Sequence, residues 1–450
     1  MDPVRNPYAP GAGQRPPELA GRDRELGQFE VVLERIARGR PERSMVLTGL
    51  RGVGKTVLLN SFRSMALQRL WGTGKIEARP DQSIRRPIAG ALHMAVRELA
   101  PRHRAPDRIE HFLGVLKAFA ARDPKAPKGT FIPHLGIDVP TVRGRADSGD
   151  LEIDLTELLA DAASVATDLS AGIAVFVDEM QDIPPRDISA LCAAMHELSQ
   201  TGGPLIVVGA GLPHLPSVLS ASKSYSERLF RYVPIDRLDR AAADQALLAP
   251  ARREGADFET AALDALFDAA DGYPYFVQAY GKVTWDVAAA SPVTAADVKV
   301  AGPQAEGELA VGFFGGRYER ATPAEREYMR AMAMLGDDPV QTSSVADELG
   351  RKPSSVSPPG RADQEGAHLQ LRAWPDRVHG AAFRPVPARP AGIGGMRIRQ
   401  TGSSGICRFL PLTLETLRNL HNGLPAFRPA HRDLGRDKTA WRPAARASGR

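Results

Sequence analysis

An α/β fold built on a parallel sheet is what the first half of this 450-residue chain predicts. Three observations lead there. Short apolar runs at 44–48, 173–177 and 205–208 alternate with stretches of helical apolar spacing, the pattern of strand–helix–strand units. A glycine-rich octapeptide, Gly49 to Thr56, lies directly between one such strand and the helix after it. From about residue 239 to 300 only helical spacing remains, so a helical domain follows the sheet.

Length and composition bound the rest. A chain of 450 residues implies two or three compact units. With 43% hydrophobic and 25% charged residues it has an ordinary globular composition, which excludes a wholly disordered chain. No apolar run reaches the ~18–20 residues of a membrane helix, so no membrane partner is expected. Residues 1–20 are rich in Pro and Gly, lack the apolar centre of a signal peptide and read as a flexible leader. Two cysteines, Cys192 and Cys407, exclude a disulfide framework and fit a reducing cytoplasm. The ten histidines show no metal-ligand spacing. The net charge of +5 hides an asymmetry, because residues 361–450 carry +10 and the first 360 carry −5. The basic balance belongs to the tail and argues little for a nucleic-acid-binding body.

In order along the chain, the apolar positions Leu26, Phe29, Val32, Leu33 and Ile36 predict a first helix ending near Gly39 and Pro41. Residues 44–48 form a strand, 57–70 a helix and 75–78 a second strand. An insertion at 79–150 holds helices at 88–99 and 109–121. Its stretch 123–145, dense in Pro, Gly and charge, reads as a mobile loop. A helix at 154–169 precedes the strand at 173–177, and a helix at 188–198 precedes the strand at 205–208. A fifth strand falls at 230–235. The core thus spans 21–237 and a helical lid 238–303. The sequence Thr322-Pro323-Ala324-Glu325 is a capping box with Pro at the first helical position. With 342–349 and Gly350 it starts a winged helix-turn-helix over 304–358.

Residues 359–450 lose periodicity and use Arg almost to the exclusion of Lys. Either they form a disordered basic tail or the reading frame shifts. Read one base later, permitted codons for 360–371 and 377–384 spell the helix end and β-wing that a winged helix would need next.

The octapeptide Gly49-Leu50-Arg51-Gly52-Val53-Gly54-Lys55-Thr56 matches G-x-x-x-x-G-K-[ST]. Its glycines let the backbone wrap a phosphate chain at a helix N-terminus. Lys55 would bridge the β- and γ-phosphates and Thr56 would ligate Mg²⁺. The acidic pair Asp178-Glu179 ends an apolar strand, a costly place for carboxylates without a cation or water to meet. Asp178 would hold the ion, and Glu179 would orient and deprotonate an attacking water. Together they predict a site for a nucleoside triphosphate; the loop itself reads phosphates, not bases, and so does not separate ATP from GTP.

These residues resemble the AAA+ ATPases, in the archaeal and actinobacterial branch akin to origin-recognition proteins. The resemblance spans about 21–357. Gly21-Arg22-Asp23-Arg24-Glu25-Leu26 is similar to the family's opening box, which places Arg22 near the nucleotide. Residues 205–211 fall where the sensor-1 strand belongs, Ser226-Glu227-Arg228-Leu229-Phe230 resembles the segment that carries an arginine finger, and Gly272-Tyr273-Pro274 opens a lid helix. The resemblance implies ATP as the nucleotide, Arg228 as the finger and assembly into a homo-oligomer. Two departures stand out. Gly209 and Ala210 occupy the sensor-1 segment in place of Asn or Thr, and no sensor-2 arginine follows Pro274. Both suit slow hydrolysis, as in a switch rather than a motor. Three outputs follow from the residues: an ATPase switch, an ATP-regulated DNA-binding protein reading DNA through the helix-turn-helix, or a non-hydrolysing scaffold. Tyr273, Tyr275, Phe276 and Tyr280 read as lid core, and Cys192 as packing.

Overall fold

Five short strands form one sheet in the order β2-β3-β4-β1-β5, every pair parallel. They are β1 (Ser44–Thr48), β2 (Gly72–Glu77), β3 (Ile173–Asp178), β4 (Leu205–Gly211) and β5 (Phe230–Pro234) in a computed structural model that describes residues 1–100, 106–122, 139–315, 322–335 and 341–356. The three central strands are buried at every position, as their unbroken apolar runs require of strands covered on both faces. β4 lies between β1 and β3. The carboxyl ends of β1, β4 and β3 therefore open on one edge, where ligands of such sheets bind.

Helices α1 (Asp23–Ala37) and α2 (Lys55–Gln68) pack through Phe29 stacked on Phe62 at 4.3 Å, with Phe176 of β3 edge-on to Phe29 at 6.2 Å. Helix α3 (Arg85–Leu99) lies on β2. A Cβ at Gly72 or Gly74 would stand 2.4 or 2.3 Å from the carbonyl oxygens of Ala95 or Ala91, so these glycines let helix and strand backbones touch. They also hid the strand, which begins at Gly72 rather than at the expected residue 75, because glycine carries no strand signal.

The insertion continues through α4 (Pro106–Ala121) to α5 (Leu151–Asp168). Its hub is a buried ion pair. Arg85 donates to Asp154 at 2.8 Å and to the Phe119 carbonyl at 3.2 Å, with its guanidinium 4.6 Å above the Phe119 ring. Asp154 also accepts from the Ser148 amide at 2.8 Å and the Gly149 amide at 3.2 Å. Part of the loop expected to be mobile is pinned to α4 instead: the Val142 amide donates to Gly114 O at 3.1 Å and Lys117 to Val139 O at 2.9 Å. The rest of that loop, 123–138, lies outside the described residues.

Helices α6 (Pro185–Thr201), α7 (Leu215–Ser222) and the short α8 (Ser226–Leu229) complete the sheet region. Four helices follow: α9 (Arg240–Arg253), α10 (Thr260–Ala270), α11 (Pro274–Val287) and α12 (Ala295–Leu309). Asp239 caps α9, accepting from the Ala242 amide at 2.8 Å. α12 passes the expected boundary at 303, and the first compact unit ends with it at Leu309.

The expected flexible leader is instead packed. Tyr8 is 3% exposed, donates to Leu247 O at 2.7 Å and meets Trp285 edge-on. Asn6 donates to Lys282 O, Arg253 to Glu18, and the amino terminus to Ala288 O. Farther on, Asn60 of α2 donates to Gly13 O at 3.2 Å. Lack of periodicity reported only that the segment is not helical; one buried tyrosine and its polar anchors oppose the entropy of ordering it.

The second unit, 310–450, is described in part. Thr322 and Glu325 form the reciprocal capping box opening α13 (Pro323–Leu335): the Thr322 amide donates to Glu325 at 2.8 Å and the Glu325 amide to the Thr322 hydroxyl at 3.3 Å. Helix α14 (Thr342–Glu348) follows, and Tyr328, Ala331 and Val345 pack between them. The tail and its alternative reading frame, 359–450, lie outside the described residues.

Candidate phosphate-binding site

The loop from Gly49 to Lys55 leaves the end of β1 on strained backbone that its glycines tolerate. Gly52 and Gly54 have φ of 88° and 93°, a region closed to most side chains. A Cβ at Gly49 would stand 2.2 Å from Ile235 O, so only glycine fits there. The Gly49 amide donates to Gly211 O at 3.2 Å and fastens the loop to the end of β4. Gly54 N-caps α2 with no side-chain acceptor, leaving the first amides of that helix to meet an anion. Lys55 is 8% exposed, and its ammonium donates to Gly49 O at 2.9 Å and Leu50 O at 2.7 Å. Its charge therefore sits inside the curl of its own loop.

Across from the loop, β3 delivers Asp178 and Glu179. Asp178 is 5% exposed and accepts from the Glu179 amide at 3.0 Å. Burial raises its carboxyl above the usual range, opposed by the nearby Thr56 side chain, the Glu179 amide and the Lys75 charge. Lys75 is held by Asn60 at 2.7 Å. Glu179 has φ of 48°, a left-handed backbone uncommon for any residue but glycine and turned by the tight corner after the strand. Among the described residues no three His, Cys, Asp or Glu gather as a metal cluster. A divalent ion here would take only the Thr56 and Asp178 oxygens from the protein. That donor set fits Mg²⁺, which keeps waters and phosphate oxygens as its other ligands.

Arg22 is buried against the loop. It donates to Val53 O at 3.1 Å and to Asp236 O at 2.5 Å, tying the loop to the segment after β5. Burial lowers its pKa, opposed by Glu25, Asp236 and Asp239. Arg51 is exposed, and its charge reaches Asp182. At the start of α11 the Tyr275 amide approaches Gly52 O at 3.4 Å, so the helical segment touches the loop. Tyr273 and Tyr280 are buried there as expected of core, whereas Tyr275 and Phe276 are half-buried.

Arg228 is the one expected catalytic residue that the fold does not bring to this edge. It precedes Phe230, whose partner is Ser44 at the start of β1, whereas the loop leaves the end of β1. A five-residue strand puts about 16 Å between those two levels. Arg228 instead lines a cavity of about 220 Å³ with Arg40, Arg43, Ser44 and Leu205. Within one chain it stands about one strand length from the glycine-rich loop.

Residues the sequence reading missed surround Glu179. Gln181 donates to Glu179 Oε2 at 2.8 Å. Burial and the Glu179 charge raise the pKa of Asp182, and burial lowers that of His214 against the pull of Asp182. The available signal was the glycine pair 209 and 211 in β4, which marks the side toward which these groups turn.

Residues 18–208 match the family model of the AAA ATPase domain, and residues 311–362 match a domain of unknown function, DUF8462. The first match takes in Arg22, the whole glycine-rich loop, Asp178 and Glu179, and supports a nucleotide-binding ATPase core of the AAA+ P-loop kind. Among solved structures, the Walker-type ATPase paby2304 of Pyrococcus abyssi is similar with a TM-score of 0.48 and 16% identity, over 75% of this chain and 85% of that one. The RuvB Holliday junction branch migration motor of Thermotoga maritima gives 0.40 and 16%, over 76% and 88%. The Orc1 protein of Aeropyrum pernix, solved in complex with DNA, gives 0.39 and 14%, over 77% and 80%. Comparison with curated proteins gives no match.

Proposed function

We propose that the chain is an Mg²⁺-dependent ATPase of the origin-recognition-like AAA+ branch, acting in the cytoplasm as a nucleotide-driven conformational switch. The observation that carries this reading is the glycine-rich loop with the Lys55 ammonium held inside its curl at the start of α2, on the sheet edge where β3 ends in the buried Asp178, with Glu179 next. In this reading the amides of 49–56 hold the phosphates and Lys55 turns from its own carbonyls to the β- and γ-oxygens. Thr56 and Asp178 hold the metal, which supplies charge neutralisation at the phosphates. Glu179 orients water and takes its proton. The contact of Tyr275 with Gly52 gives a route from loop to helical lid, so the γ-phosphate would bias one arrangement of the two. Arg228 would act as a finger only toward the site of a second copy in a homo-oligomer.

Two variants test this. Lys55→Ala is expected to lose nucleotide binding by calorimetry, and Glu179→Gln to bind MgATP while turnover falls about 10²-fold or more. Wild-type affinity in Lys55→Ala would overturn the site. GTP is the competing ligand in the same titration.

A second reading, an ATP-regulated DNA-binding protein, draws on the capped pair α13 and α14. DNA-stimulated turnover at defined salt favours it, and absence of any turnover favours a non-hydrolysing scaffold. Resequencing the codons for 357–360 decides whether a complete winged helix is encoded.

A further inference from the structure

We propose that Gln181 is the positioning residue for Glu179, doing from the turn after β3 what no side chain on β4 is there to do. The proposal rests on the reading of Glu179 as the group that prepares water. Gln181 lies in the 3₁₀ turn Met180–Asp182. Its amide nitrogen donates to Glu179 Oε2 at 2.8 Å and, more weakly, to Asp182 Oδ1 at 3.4 Å. Its amide oxygen accepts from the Leu212 backbone amide at 3.1 Å, just past the end of β4.

Room for this arrangement is built into the strand. A Cβ at Gly211 would stand 2.7 Å from the Gln181 amide oxygen, and one at Gly209 would stand 2.6 Å from the Met180 sulfur. Both atoms are the ends of flexible side chains, which a Cβ at either position would displace from where they now sit. Gly211 also gives its carbonyl to the Gly49 amide at 3.2 Å. One end of β4 thus touches the phosphate loop through Gly211 and the acid through Leu212 and Gln181. Gln181 fixes one carboxylate oxygen of Glu179 and leaves Oε1 to accept the proton of water. Any shift of the loop against β4 is passed to the orientation of that oxygen.

The test uses the full chain with Mg²⁺ and ATP. Gln181→Leu keeps a side chain of similar size and removes all three hydrogen bonds. It should lower kcat about tenfold or more, with nucleotide Kd and KM within about twofold of wild type. In the Glu179→Gln background the same substitution should change turnover by less than about twofold, because residues acting as one unit are not additive. Gln181→Met, with folding followed by circular dichroism, serves if Gln181→Leu does not fold. Wild-type kcat in a folded variant, a parallel loss of nucleotide affinity, or an undiminished effect in the Glu179→Gln background overturns the proposal. Failure of the parent reading looks different: Glu179→Gln would then turn over like wild type, or wild type would not turn over at all.

Discussion

The Thr56 side chain stands close enough to the Asp178 carboxyl to pull its pKa down against the effect of burial, although 122 positions separate the two in the chain. They are brought near because β3 is held beside β4, which in turn pairs with β1. If these two oxygens share one divalent ion, Thr56→Ala should weaken Mg²⁺ by about 10- to 100-fold while leaving metal-free nucleotide binding nearly intact. Titrating Mg²⁺ against a fluorescent nucleotide measures it, and an unchanged Mg²⁺ midpoint would remove Thr56 from the metal's ligands.

Removing one half of the Arg85–Asp154 pair should be severe. Both side chains are almost wholly buried, at 3% and 0% exposure, and Arg85→Ala or Asp154→Ala is expected to cost about 3–5 kcal/mol by urea unfolding. The pair also has a pH signature. Burial raises the Asp154 carboxyl, but bonds from Ser148 and Arg85 outweigh it and the net shift is downward. The folded state therefore binds this proton less readily than the unfolded one, and its contribution is present above the unfolded pKa of about 3.9 and lost as pH falls through the lower folded value. The stability gap between wild type and Asp154→Asn should stay constant from neutral pH to about 5 and close below about 4.

Anchoring of the leader depends on Tyr8. Tyr8→Phe removes only the bond to Leu247 O and should cost about 0.5–1.5 kcal/mol, whereas Tyr8→Ala also empties the space beside Trp285 and should cost about 3–5 kcal/mol. Limited proteolysis of the alanine variant is expected to cut within 1–20 before the rest of the chain is attacked. Equal protection of both variants would mean that the polar anchors suffice.

Arg228 provides a test of assembly. Because it stands at the level where β1 and β5 begin, Arg228→Ala should leave nucleotide affinity unchanged. As a finger in an oligomer it should lower turnover about 10³-fold. Mixing Arg228→Ala with Lys55→Ala subunits should then restore part of the activity, since one supplies the site and the other the arginine. No recovery, with oligomers present, would return Arg228 to an ordinary surface role.

The loop from Gly49 to Thr56, the acids at 178 and 179, the run of strands and helices and the capping box at Thr322 were all legible in the sequence. Each is a local device: φ above zero, an apolar run or a three-residue spacing requires particular residue types within a few positions, whatever the rest of the chain does. The start of β2 at Gly72, the packed leader, the burial of Arg22 against the loop and the bond from Gln181 to Glu179 were not. They depend on which backbone or carbonyl, tens to hundreds of residues away, closes on a given side chain, and composition holds no record of that distance. The separation of Arg228 from Lys55 has the same origin. A parallel sheet sends every strand the same way, so residues before a strand and residues after it face opposite edges, however near each other they stand in the sequence.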